Sequence, residues 1–200
     1  MTIQQTPGHV LPARSAAKME AAMAVGAFAI GTGEFAIMGL MPDIAQNLGL
    51  SEPQVGHAIS AYALGVMVGA PLLAILGAKL LRKHMLLLLM GLYALGNLAT
   101  AFTPTFGSLV AFRFISGLPH GAYFGIAAVV ASSMVPNDKR AGAVARVMMG
   151  LTLAMLLGNP IATFLGQHLG WRSAFALVSA IALCTIALVW QFVPDRHDEP

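Results

Sequence analysis

The chain has 200 residues, of which 58% are hydrophobic and only 10% charged. Ordinary soluble domains carry about 25% charged residues, so this composition excludes an ordinary soluble domain. The net charge of +3 does not point to nucleic acid, because the charges cluster in short connections between long apolar runs. The single cysteine, Cys184, lies inside such a run, which excludes a disulfide framework and a cysteine metal cluster.

Residues 1–18 read as a polar N-terminal tail ending in Arg14 and Lys18, and no small-residue cleavage site marks the next run as a signal peptide. The first apolar run covers 20–41 and stops at Pro42-Asp43. A loop over 44–53, with Gly49 and Ser51-Glu52-Pro53, leads to a second run over 55–76. A basic turn with Lys79, Arg82, Lys83 and His84 precedes a third run, 85–102. The fourth, 106–135, ends at Pro136-Asn137-Asp138, and a second basic loop holds Lys139, Arg140 and Arg146. The fifth run is 144–165, and a turn at 166–171 leads to the sixth, 172–193, before a charged stretch at 194–200. Each run is long enough to cross a hydrocarbon core about 30 Å thick. None shows the two-residue alternation of a barrel strand. The expected fold is therefore an all-α membrane protein of six spans, embedded in the lipid bilayer.

Nine of the eleven Lys and Arg residues (14, 18, 79, 82, 83, 139, 140, 146 and 196) fall on one side of such a bundle, and Arg172 alone falls on the other. By the positive-inside rule both termini are expected in the cytoplasm. The remaining cation, Arg113, lies within the fourth run, and Glu34 lies within the first. Charges at bilayer depth cost at least ~2.5 kcal/mol on insertion scales and usually mark a solute or ion path. Both residues sit about seven positions from the outer end of their span, or ~10 Å deep at ~1.5 Å per residue. Two opposite charges at one depth can pair or share a polar cavity.

The other signals each have a packing alternative. Gly117, Gly121 and Gly125 form a stripe on the fourth span, suited to close helix contact or to a moving element. Pro119 interrupts that helix beside His120, which is read as a satisfied buried imidazole or as a member of a proton relay. Gly69-Ala70-Pro71 and Gly158-Asn159-Pro160 occupy the middle spans of two candidate three-helix repeats, and such paired helix breakers point to the moving or binding region of transporters. Asn159 offers an amide to a cavity or to a neighbouring helix. Tyr62 and Tyr123 are candidates to line a solute cavity, or are packing.

The stretch Arg113-Phe-Ile-Ser-Gly117-Leu-Pro-His-Gly121 resembles the Arg-x-x-x-Gly-x-x-x-Gly signature of the major facilitator superfamily. Gly158-Asn159-Pro160 resembles its antiporter motif with one residue between Gly and Pro. The first span, from Gly31-Thr-Gly-Glu34-Phe35 to Gly39-Leu-Met-Pro42-Asp, and the entry to the sixth, Gly170-Trp171-Arg172-Ser-Ala-Phe175, are similar to the drug and sugar efflux branch, the arabinose-efflux-permease-like antiporters. The resemblance implies a transporter rather than an enzyme, with no cofactor or metal. It implies outward proton-coupled movement of a small organic solute (sugar, nucleoside or drug-like) across a bacterial inner membrane by alternating access. Glu34, Arg113 and His120 are the proton-coupling candidates, Asn159, Tyr123 and Tyr62 the cavity candidates, and Gly117, Pro119, Gly121, Gly158 and Pro160 the hinge candidates. Lys79, Arg82 and Lys83 stand where the family carries its cytoplasmic loop motif, but Ala78 and Leu81 replace that motif's Asp and Gly. The family has twelve helices in two halves, so the chain is expected to be an N-terminal half needing a second six-helix half, either a missing C-terminal half or a second copy. A six-helix membrane assembly partner without transport is the alternative. An intramembrane serine protease using Ser116 and His120 is a further one, although no Gly-x-Ser-Gly occurs.

Overall fold

A computed structural model describes residues 10–195. Arg196 and the residues after it lie outside the described residues, as do residues 1–9 of the N-terminal tail. Among the described residues the structure is helical, with no strand, and six of its helical segments are long and apolar enough to cross a membrane. In chain order the helices are α1 (Ala13–Gly39), α2 (Met41–Leu48), α3 (Glu52–Leu76), α4 (Arg82–Ala101), α5 (Phe106–Ser133), α6 (Arg140–Leu153), α7 (Asn159–Leu169) and α8 (Trp171–Phe192). The spans are α1, α3, α4, α5, α6 running into α7, and α8.

Helix starts reach into the expected tail and basic turns, since α1 begins at Ala13, Arg82, Lys83 and His84 open α4, and Arg140 and Arg146 lie in α6. Two further local features differ from the sequence expectation. The stretch expected as a loop at 44–53 is helical in its first half. Pro42 stands in the first turn of α2, where its missing N–H costs nothing, and Gly49 closes the helix at φ 65°. Ser51 and Gln54 then form a capping box that starts α3. The second feature is the fifth span, which is helical over Asn137–Leu169 but widens to a π-turn over Ala154–Gly158. The Asn159 N–H reaches the Ala154 carbonyl, five residues back. The wide turn meets the need of Pro160 directly, since proline donates no hydrogen bond and its ring crowds the carbonyl four residues earlier. Pro119 has no such effect: α5 continues as an α-helix through it.

The packing has an internal two-fold pattern. The second span packs on the fourth as the fifth packs on the first, the third packs on the fourth as the sixth packs on the first, and the third and sixth pack on each other. This is the relation expected of two three-helix repeats. Small residues set the close crossings, as in membranes where lipid offers no hydrophobic drive to association. A Cβ at Gly117 would meet the Tyr62 carbonyl, and one at Gly65 would meet the Phe114 carbonyl, so α3 and α5 touch backbone to backbone. On the other pair, a Cβ at Gly158 would strike Thr32 of α1. The Gly117→Val variant is therefore expected to lose ~1–3 kcal/mol, because neither backbone can yield. Gly125→Val on the same helix, where the added Cβ meets open space, is the control. Thermal unfolding in detergent reads both, and equal midpoints would contradict the close crossing.

Polar contacts tie the ends. At one end Arg172 donates to Asn47 Oδ1 at 2.6 Å and to the Thr103 carbonyl at 2.6 Å, joining three connections. At the other, the Leu11 N–H meets the Met134 carbonyl at 3.0 Å. There Lys83, beside the Trp190 ring, pairs with Asp195 at 3.5 Å. Of the loop-motif residues, Lys83 is thus buried against the end of α8, while Lys79 is exposed.

Candidate functional site: a polar track between the first, second and fourth spans

α1 runs through the middle of the bundle, and side chains from α4 and α5 place donors on its carbonyls. Tyr123 donates to Met23 at 2.8 Å, Tyr93 to Ile30 at 3.0 Å, and Arg113 Nη1 to Gly33 at 2.9 Å. Arg113 Nη2 reaches the Glu34 carbonyl at 3.4 Å. The guanidinium is fully buried, lying over the Tyr62 ring at 4.4 Å and near the Phe175 ring at 5.5 Å. The equal depth of Glu34 and Arg113 therefore reflects a contact made through the Glu34 carbonyl, where the sequence left a charge pair or a shared cavity open. Arg113 holds main-chain oxygens of α1 from inside the bundle. Its charge is met by carbonyl dipoles and ring faces rather than by an open chamber.

The Glu34 carboxylate points elsewhere. It keeps 28% of its side-chain surface exposed and stands 3.9 Å from His120 Nδ1, whose side chain is 15% exposed. The same Nδ1 lies 3.0 Å from the Tyr62 hydroxyl. The His120 ring also meets the edges of Tyr62 and Phe124, at centroid distances of 5.8 and 5.1 Å. Glu34, His120 and Tyr62 thus form a short polar track that begins at an accessible carboxylate and ends on the ring covering Arg113. Carboxylate and phenol face the same nitrogen, and only the phenol is within hydrogen-bond distance of it; Nδ1 accepts from the phenol or donates to it according to the tautomer. The three residues come from α1, α5 and α3, so only helix packing assembles them.

The other candidates separate. Tyr123 is fully buried and bonded to Met23, which places it in the packing between α5 and α1 rather than on a cavity wall. Asn159 lines an open groove of about 510 Å³ between α1 and the fifth span, with Phe35, Met38, Thr163, Phe164 and Gln167 among its walls. Its Oδ1 is buried without a hydrogen-bond partner. Gly117 and Gly158 serve as close contacts, and Gly121 faces Ala70. Ser116 donates to the Phe112 carbonyl at 2.8 Å and His120 faces Tyr62, so these two are not set as nucleophile and base.

Sequence reading missed Tyr93 and Asn97. Both are fully buried on α4, with Asn97 Nδ2 bonded to the Tyr93 carbonyl at 2.9 Å and its Oδ1 unpartnered. The signal was an amide inside an apolar run, four residues after a tyrosine. It also missed Glu20, whose carboxylate is gripped by Arg146 Nε and Nη2 at 2.5 and 3.0 Å.

The Tyr62→Phe variant keeps the ring over Arg113 and removes only the hydroxyl. It is expected to lose about 1 kcal/mol from the bond to His120, read as a lowered thermal midpoint in detergent. An unchanged midpoint would show that this bond does not hold the fold.

The described geometry agrees with what the chain matches among known proteins. The sequence profile described as Major Facilitator Superfamily matches residues 23–200. This chain belongs to the Major Facilitator Superfamily. It is 41% identical over 182 residues to the putative transporter AraJ of Escherichia coli, covering 91% of this chain and 46% of that protein. It is 33% identical over 170 residues to a probable sugar efflux transporter of Helicobacter pylori, covering 85% of this chain and 44% of that one. The solved structure of the proton:xylose symporter XylE bound to 6-bromo-6-deoxy-D-glucose superposes with a TM-score of 0.82 at 18% identity, over 92% of this chain and 46% of that chain. The chain thus spans about half the length of the relatives it matches. This member of the superfamily is an integral membrane protein whose relatives are transporters.

Proposed function

We propose that the chain is the N-terminal six-helix half of a proton-coupled exporter of a small organic solute, with both termini in the cytoplasm. The observation that carries this reading is the track from the part-exposed Glu34 carboxylate through His120 to Tyr62. It sets a titratable group at bilayer depth beside a proton acceptor and leaves it open to solvent or solute. One relative's designation, a probable sugar efflux transporter, supports the outward direction. The groove at Asn159 supports an uncharged solute, because its polar walls are the amides and hydroxyl of Asn159, Gln167 and Thr163.

In this reading Glu34 takes a proton when the site faces outward and releases it when the site faces inward. Solute and proton favour opposite facing states, so an inward proton gradient drives solute out. Arg113 acts as a positioning residue, holding the α1 carbonyls on either side of the Glu34 peptide so that the carboxylate points at His120. Alternating access is a rocking of one half against another, so the site is completed by a second six-helix half.

The test is reconstitution in liposomes of this half joined to a second six-helix half, with a pH dye outside and candidate sugars, nucleosides and amphenicol-type drugs inside. Solute-dependent proton uptake supports the proposal. Solute movement without proton movement would remove the coupling. Movement of neither, from a folded protein, would favour a six-helix assembly partner.

A further inference from the structure

The end of the bundle where α1 begins carries a second cavity, remote from the Glu34 track. It has a volume of about 350 Å³ and lies between the N-terminal stretch, the first turns of α1 and the connection from α5 to α6. Its walls are apolar on two sides, with Val10, Leu11 and Ala17 facing Val135 and Pro136. Its polar groups are Lys139, Arg146 and Glu20. Glu20 is 4% exposed and its carboxylate is already gripped by Arg146, whose side chain is 52% exposed. Neither of those hydrogen bonds uses Arg146 Nη1, which lies against Gly142. Lys139 is exposed and makes no ion pair among the described residues. After the Glu20–Arg146 pair is formed, one cation and one unused guanidinium nitrogen remain, and no acid lining the cavity is left to answer them.

We propose that this cavity binds the phosphate headgroup of an anionic phospholipid, with Lys139 and Arg146 Nη1 on the phosphate and the Val10, Leu11, Val135 and Pro136 wall against the glycerol and the start of the acyl chains. The position favours a lipid over a soluble anion. The cavity opens at the end of the bundle that also carries Arg14, Lys18, Lys79, Arg82 and Arg140, where the apolar spans meet the headgroup layer. A basic pocket between spans at that level is the setting in which anionic headgroups are held. The apolar wall has no role toward a free phosphate. The Glu20–Arg146 pair orients the guanidinium, and the occupant bridges α1 to the α5–α6 connection. This site does not depend on the transport reading.

The experiment is native mass spectrometry of the purified chain in detergent, titrated with dioctanoyl phosphatidylglycerol, dioctanoyl phosphatidylcholine and glycerol phosphate. Phosphatidylglycerol is expected to bind roughly tenfold more tightly than phosphatidylcholine. Lys139→Glu, at an exposed position where no hydrogen bond of the fold is lost, is expected to weaken phosphatidylglycerol by roughly tenfold. Lys79→Glu makes the same charge change at the same end outside the cavity, and is expected to leave phosphatidylglycerol binding as it was. Equal binding of the two lipids, or equal effects of the two variants, would overturn the site. Glycerol phosphate competing as well as the lipid would overturn the lipid as its occupant.

Discussion

Glu34→Gln, placed in a full-length transporter that carries this half, is expected to reduce proton-driven solute export by roughly two orders of magnitude, the usual scale for removing a group that transfers a proton. Solute exchange without a gradient is expected to persist, because glutamine keeps the size of the side chain and still accepts and donates hydrogen bonds. The expectation rests on geometry. The carboxylate is the accessible end of the track, 3.9 Å from His120 Nδ1, while Arg113 is occupied with main-chain oxygens. Gln cannot load a proton, so export by the variant is also expected to lose its dependence on the pH difference across the membrane. The measurement is solute uptake into inside-out vesicles, the direction export takes there, under an imposed gradient, against exchange in its absence. Wild-type export with wild-type pH dependence would remove Glu34 from the coupling role. Loss of both export and exchange, with normal folding, would assign it to solute binding instead.

Arg113→Met is expected to destabilise the bundle by ~2–4 kcal/mol. Methionine approximates the aliphatic part of the side chain but removes the donors to Gly33 and Glu34 and the cation over the Tyr62 and Phe175 rings. Arg113→Lys is expected to recover less than half of that loss. An ammonium carries the charge but has no planar fork to span two successive carbonyls and no flat face to lie on a ring. Unfolding midpoints in detergent read both. If Met and Lys were both as stable as the wild type, Arg113 would not be holding α1. If Lys alone restored full stability, charge rather than fork geometry would be the reason.

The spans themselves were legible in the sequence because bilayer thickness and the absence of water at depth act on every residue of a run alike. Depth was legible for the same reason: a fixed rise per residue places Glu34 and Arg113 at one level. Residue partners were not. Equal depth left open a carboxylate–guanidinium pair or a shared cavity, and the structure has Arg113 bonding the carbonyls of Gly33 and Glu34 while the carboxylate faces His120. Backbone oxygens are present at every position and leave no mark in composition, so a side chain that binds them cannot be matched to its partner by reading. Tyr123 shows the same limit. Its phenol was compatible with a cavity wall or with packing, and its bond to the Met23 carbonyl places it in the core. The helix at Met41–Leu48 and the π-turn before Asn159 had visible causes in Pro42 and Pro160, but a proline announces a disturbance without saying which form it takes.

Sequence alone determined that the chain crosses a membrane six times, with its cations at one end and two charges at a shared depth. Those properties follow from hydrocarbon solvation and helix rise, which need no neighbour. Tertiary structure decided that α1, α3 and α5 meet, that Glu34, His120 and Tyr62 form one track, and that Arg113 lies beneath it as a clamp on α1. Those depend on which helix faces which. That choice is made by backbone-close crossings such as Gly65 on Phe114 and Gly117 on Tyr62, whose complementarity appears only when both helices are in place.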